Sequence, residues 1–239
     1  MQTHFDTIII GGGPGGLAAA YSLAEQQSVL VVENDLWGGT CPNRGCDPKK
    51  MLYSAVEALD NQQALQINGL VGTSAINWSE LMAFKRSYTQ QIPTGTLNGL
   101  QHAGIQTVTG TAHFSDTQTL QINGGTYTAN HFIIATGQTP TLPTIEGHDL
   151  LQTSNEFLDL DRLPEKVAFI GGGYIAIELA NIAVTAGAEV HIIQHNERIL
   201  RDFPEVLTHK LVTSLQEKGI HFHFDTDVTT ITQTSNQLT

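Results

Sequence analysis

Both cysteines of the 239-residue chain, Cys41 and Cys46, lie in the stretch GGTCPNRGCDPKK at residues 38–50. Four intervening residues permit a disulfide that bridges a loop and the first turn of a helix, opened by two electrons and closed again by exchange. If Cys46 stands at the entrance of the helix that contains Pro48, the helix dipole favours its thiolate and makes it the better electron carrier. Two reduced bystanders, or half of a metal site without a second Cys or His pair, are the alternatives. Two glycine sets accompany the thiols. Gly11, Gly13 and Gly16 form a GxGxxG whose glycines allow a tight turn, a close approach of backbone N–H groups to a pyrophosphate, and close helix packing. Glu33 follows Gly11 by 22 residues, where a carboxylate accepts the hydroxyls of a ribose. Gly171, Gly173 and Ala176 repeat the pattern with the variant third position. Two such fingerprints imply two dinucleotides, as electron transfer through a bound flavin requires. Ligand-free glycine turns and a bare duplication of structural units are the competing explanations.

The elements around these residues read as strand, turn and helix. TIII, GGGPGGLAAAYSLAEQ and SVLVVE describe a buried strand, a glycine turn, a helix of small residues and a second buried strand, one βαβ unit. PKKMLYSAVEALDNQQAL is helical with proline in its first turn, and SELMAFKRSYTQQIPTGTLNGL predicts another helix. Residues 105–135 alternate apolar and polar side chains around Asn123-Gly124-Gly125, the signature of an antiparallel hairpin or meander, which the buried strand HFIIATG closes. Prolines and the absence of any period place a domain junction near residues 138–155. KVAFI, GGGYIAIELANIAVTAG and EVHIIQH then repeat the βαβ device, followed by the amphipathic helix PEVLTHKLVTSLQEKG and two strands, IHFHF and VTTIT.

Eleven basic against 23 acidic residues leave a formal charge of -12, which repels phosphate backbones and anionic headgroups. No apolar run approaches the roughly 20 residues of a membrane span, and MQTHFDTIII lacks the basic start and cleavage site of a signal peptide. A cytoplasmic protein that binds neither nucleic acid nor membrane is expected. Persistent disulfides are rare in that compartment, so the cysteine pair leans toward redox chemistry.

GGTCPNRGCDPKK, the amino-terminal IIIGGGPGG, FIIATGQTP and FIGGGYIAIELA, in this order, resemble the glutathione reductase and dihydrolipoamide dehydrogenase family, the class I pyridine nucleotide-disulfide oxidoreductases. The redox motif is the specific part. The resemblance implies an α/β protein with two Rossmann-like dinucleotide-binding units, the first carrying the inserted antiparallel meander. It places an FAD-binding domain with the cysteine pair at residues 1–150 and an incomplete NAD(P)-binding domain at residues 151–239. It also implies that Gly11, Gly13, Pro14, Gly15, Gly16 and Glu33 hold the FAD adenosine and pyrophosphate. Gly39 and Thr40 would lie along the FAD chain, Ala112 by the adenine, and Thr136 with Gly137 at the close of the first FAD segment. Cys46 would be the thiolate against the flavin and Cys41 the thiol that attacks substrate. Lys49 would sit by the reactive flavin nitrogen, paired with Glu178. A lysine there stabilises charge on the reduced ring and a carboxylate offsets its burial, although Glu178 also reads as a surface helical residue.

Gly171, Gly173, Tyr174 and Ile175 would serve the nicotinamide nucleotide, Tyr174 covering its pocket unless it is a core aromatic. In EVHIIQH, His195 stands 24 residues beyond Gly171, where NAD-selective proteins usually have an acid. With Arg201 offering a guanidinium fork to a 2'-phosphate, NADPH is the expected donor and NADH a possible one. NERILRD as a solvated loop is the alternative. Asp47 departs from an apolar family position, and its charge opposes thiolate formation at Cys46 unless it faces away. His191, His195, His221 and His223 are read as unsupported metal ligands, and no metal is expected. The family's later acid-base pair and dimerisation domain are not in these residues. The chain is therefore read as an amino-terminal portion, inactive alone and homodimeric when full length. The expected function is FAD-dependent reduction of a small disulfide such as oxidised glutathione. Dihydrolipoamide dehydrogenase, mercuric reductase and a non-catalytic flavin-binding module are the alternatives.

Overall fold

The computed structural model describes residues 3–235 and 237–239. The β-branched run at the amino end forms strand β1 (His4–Ile10), helix α1 (Pro14–Leu23) crosses over, and β2 (Val29–Glu33) returns parallel to β1 with Ile8 opposite Leu30 and Ile10 opposite Val32. Pro14 opens α1, where a missing N–H leaves no bond unmade. The turn between β1 and α1 is sterically committed to glycine. A Cβ on Gly16 would meet the Gly11 carbonyl oxygen at 1.9 Å, and one on Gly11, at φ +115°, would meet the Ala135 oxygen at 2.2 Å.

Four helices follow: α2 (Thr40–Arg44), α3 (Cys46–Gln66), α4 (Trp78–Thr89) and α5 (Ile92–His102). The stretch expected as one helix over residues 79–100 is two, because Pro93 lies in the first turn of α5 and cannot continue an earlier helix. Strands β3 (Gln106–Thr109), β4 (Ala112–Phe114), β5 (Thr119–Ile122) and β6 (Gly125–Ile134) complete a six-stranded mixed sheet in the order β3-β2-β1-β6-β5-β4. The meander is smaller than expected. β3 joins the parallel part beside β2, and the predicted strands TYTA and HFII are one strand, β6, which pairs antiparallel with β5 and parallel with β1. Asn123 and Gly124 both take positive φ, 50° and 78°, the backbone of a two-residue hairpin turn. The sheet has apolar side chains on both faces: Phe5, Ile8, Leu30 and Leu120 in one cluster, Ile9, Ala20, Val31 and Leu100 in the other.

A 3₁₀ turn (His148–Leu150) and the short helix α6 (Ser154–Phe157), closed by a capping box from Thr153 and Glu156, lead into the second repeat. Strand β7 (Lys166–Ile170), helix α7 (Tyr174–Thr185), strand β8 (Glu189–Ile193), helix α8 (Glu205–Glu217) and strand β9 (Ile220–His223) form a three-stranded parallel sheet in the order β7-β8-β9. The stretch VTTIT is not a strand. Thr230 makes an isolated bridge to Glu146, and the chain then forms a short hairpin of β10 (Gln233–Thr234) and β11 (Gln237–Leu238). Among the described residues no helix is long and apolar enough to cross a membrane.

The chain divides into two compact units, Met1–Pro48 with Arg86–Thr139 and Lys49–Lys85 with Pro140–Thr239. This differs from contiguous domains parted at residue 150, and the reason lies in the apolar face of α3 and α4. Leu52, Val56, Trp78 and Met82 are buried in the same cluster as Ile177, Ile182, Val190 and Ile192. Polar contacts reinforce that packing: the Trp78 indole N–H donates to the Leu160 carbonyl at 2.8 Å, and Lys218 Nζ reaches Asp60 Oδ2 at 2.6 Å.

Lys85 is the unusual member of this second unit. Its side chain is 4% exposed and meets Asp159, 65% exposed, at 3.0 Å. Removing the acid leaves a buried ammonium without its carboxylate, whereas replacing the lysine with an apolar side chain leaves an acid that water solvates. Asp159→Asn is therefore expected to cost about 1–3 kcal/mol and Lys85→Met less than about 1 kcal/mol. Urea denaturation of the two variants checks this, and equal losses would contradict the burial asymmetry.

Candidate functional site

Gly11, Gly13, Pro14, Gly15 and Gly16 form the turn and first helical residues at the carboxyl end of β1. Gly13 caps α1 with no side-chain acceptor, so the first N–H groups of the helix point outward without a capping partner. A Cβ at Gly15 would meet nothing within 4 Å, and one at Gly13 only the Gly39 Cα at 3.5 Å, which leaves open space over the turn. Gly39 and Thr40 open α2 directly against Gly13. Gly110 N–H donates to the Glu33 carbonyl at 2.8 Å, which sets the chain just before Ala112 beside the end of β2, and Ala112 packs with Ile10 and Val108. Thr136 and Gly137 follow Ala135, whose N–H donates to Ile10 O at 2.8 Å, so they too sit at the carboxyl edge. All the expected first-unit residues thus converge on one edge of the sheet.

Glu33 does more than wait for a ribose. One carboxylate oxygen accepts from Gly12 N–H at 2.8 Å, and the other from Asn34 and Asp35 N–H at 2.8 and 2.9 Å. It pins the glycine turn to the strand end. Asn43, in α2, is buried and donates its amide to the Trp37 and Gly39 carbonyls at 3.0 and 2.8 Å, while its Oδ1 finds no partner among the described residues. A buried acceptor without a protein donor, beside an open glycine cradle, suits a hydroxyl-bearing ligand with an anionic centre. The first unit therefore fits a dinucleotide such as FAD.

The thiols flank Gly45. Cys41 lies half-buried inside α2, and Cys46 is the exposed first residue of α3, which begins two residues before the Pro48 start read from the sequence. Both are free thiols. A hydrogen bond with Cys46, then burial, then the charges of Cys46 and Asp47 push the Cys41 thiol above its ordinary value. Asp47 shares the first turn of α3, and its Oδ2 accepts from the Tyr88 hydroxyl at 2.9 Å. The effect of that carboxylate falls on Cys41.

In the second unit, Lys49 Nζ and Glu178 Oε1 meet at 2.5 Å although 129 residues separate them. Glu178 is therefore the partner of the lysine, although 41% of its side chain stays exposed. Gly171, Gly173, Tyr174 and Ile175 line the start of α7. A Cβ on Gly171 or Gly173 would meet nothing within 4 Å, and Tyr174 is 65% exposed, which excludes a core aromatic.

The strand end of the second repeat repeats the bond seen in the first. Gln194, buried, accepts from Gly172 N–H through Oε1 at 2.6 Å, the bond that Glu33 makes to Gly12 in the first repeat. By that bond Gln194, one residue before His195, is the structural counterpart of Glu33. The first repeat's spacing of 22 residues would fall on Ile193; the second repeat is one residue longer, and the sequence reading goes one residue past it to His195. His195 is exposed and lines a cleft with Gly171, Ile193 and Asp227. Arg198 is engaged with the Arg201 carbonyl at 2.6 Å and Glu205 at 3.7 Å, whereas the side chain of Arg201 is exposed.

The histidines are less isolated than the sequence suggests. His191 stacks on His221 and His223, with ring centroids 4.9 and 5.2 Å apart, on the face of the β7-β8-β9 sheet opposite Val190 and Ile192. Among the described residues no group of three or more His, Cys, Asp or Glu side chains is arranged to hold a metal ion.

Residues 5–239 match the family model described as pyridine nucleotide-disulphide oxidoreductase. A dihydrolipoyl dehydrogenase of Mycoplasma pneumoniae is 33% identical, covering 95% of this chain and 51% of its own length. A glutathione reductase of Nostoc sp. is 32% identical, covering 98% and 51%, and one from Pisum sativum, chloroplastic/mitochondrial, is 31% identical, covering 98% and 45%. The chain thus spans about half the length of these relatives. The HOCl-induced flavoprotein disulfide reductase RclA from Escherichia coli shares the fold, with a TM-score of 0.85 at 24% identity over 98% of this chain and 52% of that one. With two glycine turns, a pair of neighbouring free thiols and a family match over nearly every residue, the chain belongs to the pyridine nucleotide-disulphide oxidoreductases.

Proposed function

We propose that the full-length protein is an FAD-dependent disulfide reductase that takes electrons from NADPH in preference to NADH and acts as a homodimer. The thiol pair carries this reading: Cys41 in α2 and Cys46 at the start of α3 are near enough that Cys46 shifts the Cys41 thiol, in the unit whose glycine edge suits a dinucleotide. Bound FAD supplies the two-electron relay between the nicotinamide and the cysteine pair.

The residues of the chain divide the rest. Cys41, as thiolate, attacks one sulfur of a substrate disulfide RS–SR, forms the Cys41–SR bond and expels RS⁻, which takes up a proton. Cys46 then displaces the second RS⁻ and closes the Cys41–Cys46 disulfide, so two electrons have passed from the dithiol to two molecules of RSH. The neighbouring Cys46 and then burial push the Cys41 thiol above its ordinary value, so its proton must be taken up by a base before it attacks. Lys49 is held by Glu178 at 2.5 Å, a positioned cation of the kind that stabilises charge on a reduced ring. Reduction of a small disulfide such as oxidised glutathione is the activity proposed.

The nicotinamide preference rests on Gln194 and Arg201. A neutral amide at the strand end repels no 2'-phosphate, and an exposed guanidinium offers a planar fork to one.

Three measurements on the full-length protein follow. Gly13→Ala is expected to fold normally yet lose FAD, because its Cβ has room in the protein but stands where the pyrophosphate approaches, while Gly16→Ala fails to fold. Flavin absorbance after gel filtration, with circular dichroism, checks both, and a yellow Gly13→Ala protein would refute the placement of the cofactor. Cys46→Ser should abolish a long-wavelength thiolate–flavin absorption band that Cys41→Ser displays constitutively. Identical spectra would void the assignment of the two thiols. Arg201→Ala is expected to lower the NADPH:NADH ratio of kcat/KM about tenfold, the loss of one charged hydrogen bond, and Gln194→Glu to shift it the same way. A wild-type preference for NADH would overturn this part.

A further inference from the structure

The charges near the reactive thiol are unevenly spent. Arg44, between the two cysteines, is held by Asp35 through two contacts, Nη1 to Oδ2 at 2.7 Å and Nη2 to Oδ1 at 3.3 Å. Lys49 is committed to Glu178. Asp47 forms no ion pair among the described residues, and the Tyr88 hydroxyl, donating to it at 2.9 Å, orients the carboxylate without neutralising it. Both ends of that contact are coupled to Cys41, whose thiol feels the charge of Asp47 while the Tyr88 hydroxyl feels the charge of Cys41. Lys50 is exposed on α3 and is the remaining cation in the motif.

We infer that Asp47, oriented by Tyr88, is a specificity-determining residue that sets the charge class of disulfide admitted to Cys41, favouring cationic or neutral disulfides over anionic ones. The inference rests on the disulfide-reductase reading and, within the small disulfides proposed there, ranks cationic and neutral ones ahead of oxidised glutathione, which carries net negative charge. The physical reason is local. An incoming disulfide must place one sulfur against Cys41, which brings its nearest charged group into the range at which Asp47 already acts on the Cys41 thiol. At that range a single charge changes a rate several-fold even in a partly aqueous site. Tyr88 is a positioning residue: it holds the carboxylate in place and touches no reacting atom.

The test compares wild type, Asp47→Asn and Tyr88→Phe in the flavin-loaded full-length protein at low ionic strength. Cystamine, bis(2-hydroxyethyl) disulfide and dithiodipropionate present positive, neutral and negative ends on similar frames. Wild type should prefer cystamine to dithiodipropionate in kcat/KM, and Asp47→Asn should lower that ratio about tenfold. Tyr88→Phe, which keeps the charge but frees it, should give an intermediate ratio. Added salt should compress the wild-type preference. In parallel, the reduced protein is alkylated with iodoacetamide or iodoacetate, and modification of Cys41 is followed by peptide mass. Asp47→Asn should raise the rate with the anionic reagent relative to the neutral one by about fivefold. An unchanged alkylation ratio in Asp47→Asn overturns the inference, and a wild-type ratio in Tyr88→Phe overturns the orienting role. If NAD(P)H reduces the flavin but no disulfide turns over, the disulfide-reductase reading fails, and the alkylation ratio still decides the role of Asp47.

Discussion

In both repeats the side chain at the end of the second strand accepts a hydrogen bond from the middle glycine of the turn, Glu33 from Gly12 at 2.8 Å and Gln194 from Gly172 at 2.6 Å. That bond ties strand, turn and helix into one rigid corner, and the rest of each unit is arranged around it. With the turn held, α1 approaches β1 so closely that only hydrogen fits on Gly16, and its first N–H groups face open space. The same corner positions Gly39, and through it α2 and the thiols, because Gly13 and Gly39 are in backbone contact. One local constraint is thus used twice, with a carboxylate in one copy and an amide in the other, and in the first copy it also sets the segment that carries the thiols.

The difference between those two side chains is functional in kind. A carboxylate there both pins the turn and offers lone pairs to ribose hydroxyls, so it selects an unphosphorylated ribose. An amide pins the turn equally well and leaves the neighbouring space without a negative charge. The structural duty of the position is conserved between the repeats while its electrostatic duty is not.

The thiol region is likewise governed by how charges are partnered. Arg44, Lys49 and Lys85 each meet a carboxylate, whereas Asp47 is held by a phenol. In a chain with net charge -12, an oriented and uncompensated carboxylate beside a reactive sulfur shapes what approaches it.

The two βαβ repeats, their glycine turns, the cysteine motif and the helix that begins at Cys46 were legible in the sequence because each depends on contacts between residues close in the chain. Period, turn chemistry and spacing are local properties, and they also sufficed for the family resemblance. What the tertiary structure alone decided has a common physical reason, which is separation along the chain. Whether TYTA and HFII were two strands or one depended on their partners in β5 and β1, and the membership of residues 49–85 depended on which apolar face Leu52 and Trp78 found. The pairing of Lys49 with Glu178 was readable only as an analogy until folding brought them together across 129 residues. The contact between Asp47 and Tyr88 left no pattern in the sequence, since nothing local tells a carboxylate which distant hydroxyl it will meet. Which residue of the second repeat matches Glu33 depended on a one-residue difference in spacing, which only the hydrogen bond from Gly172 to Gln194 resolves.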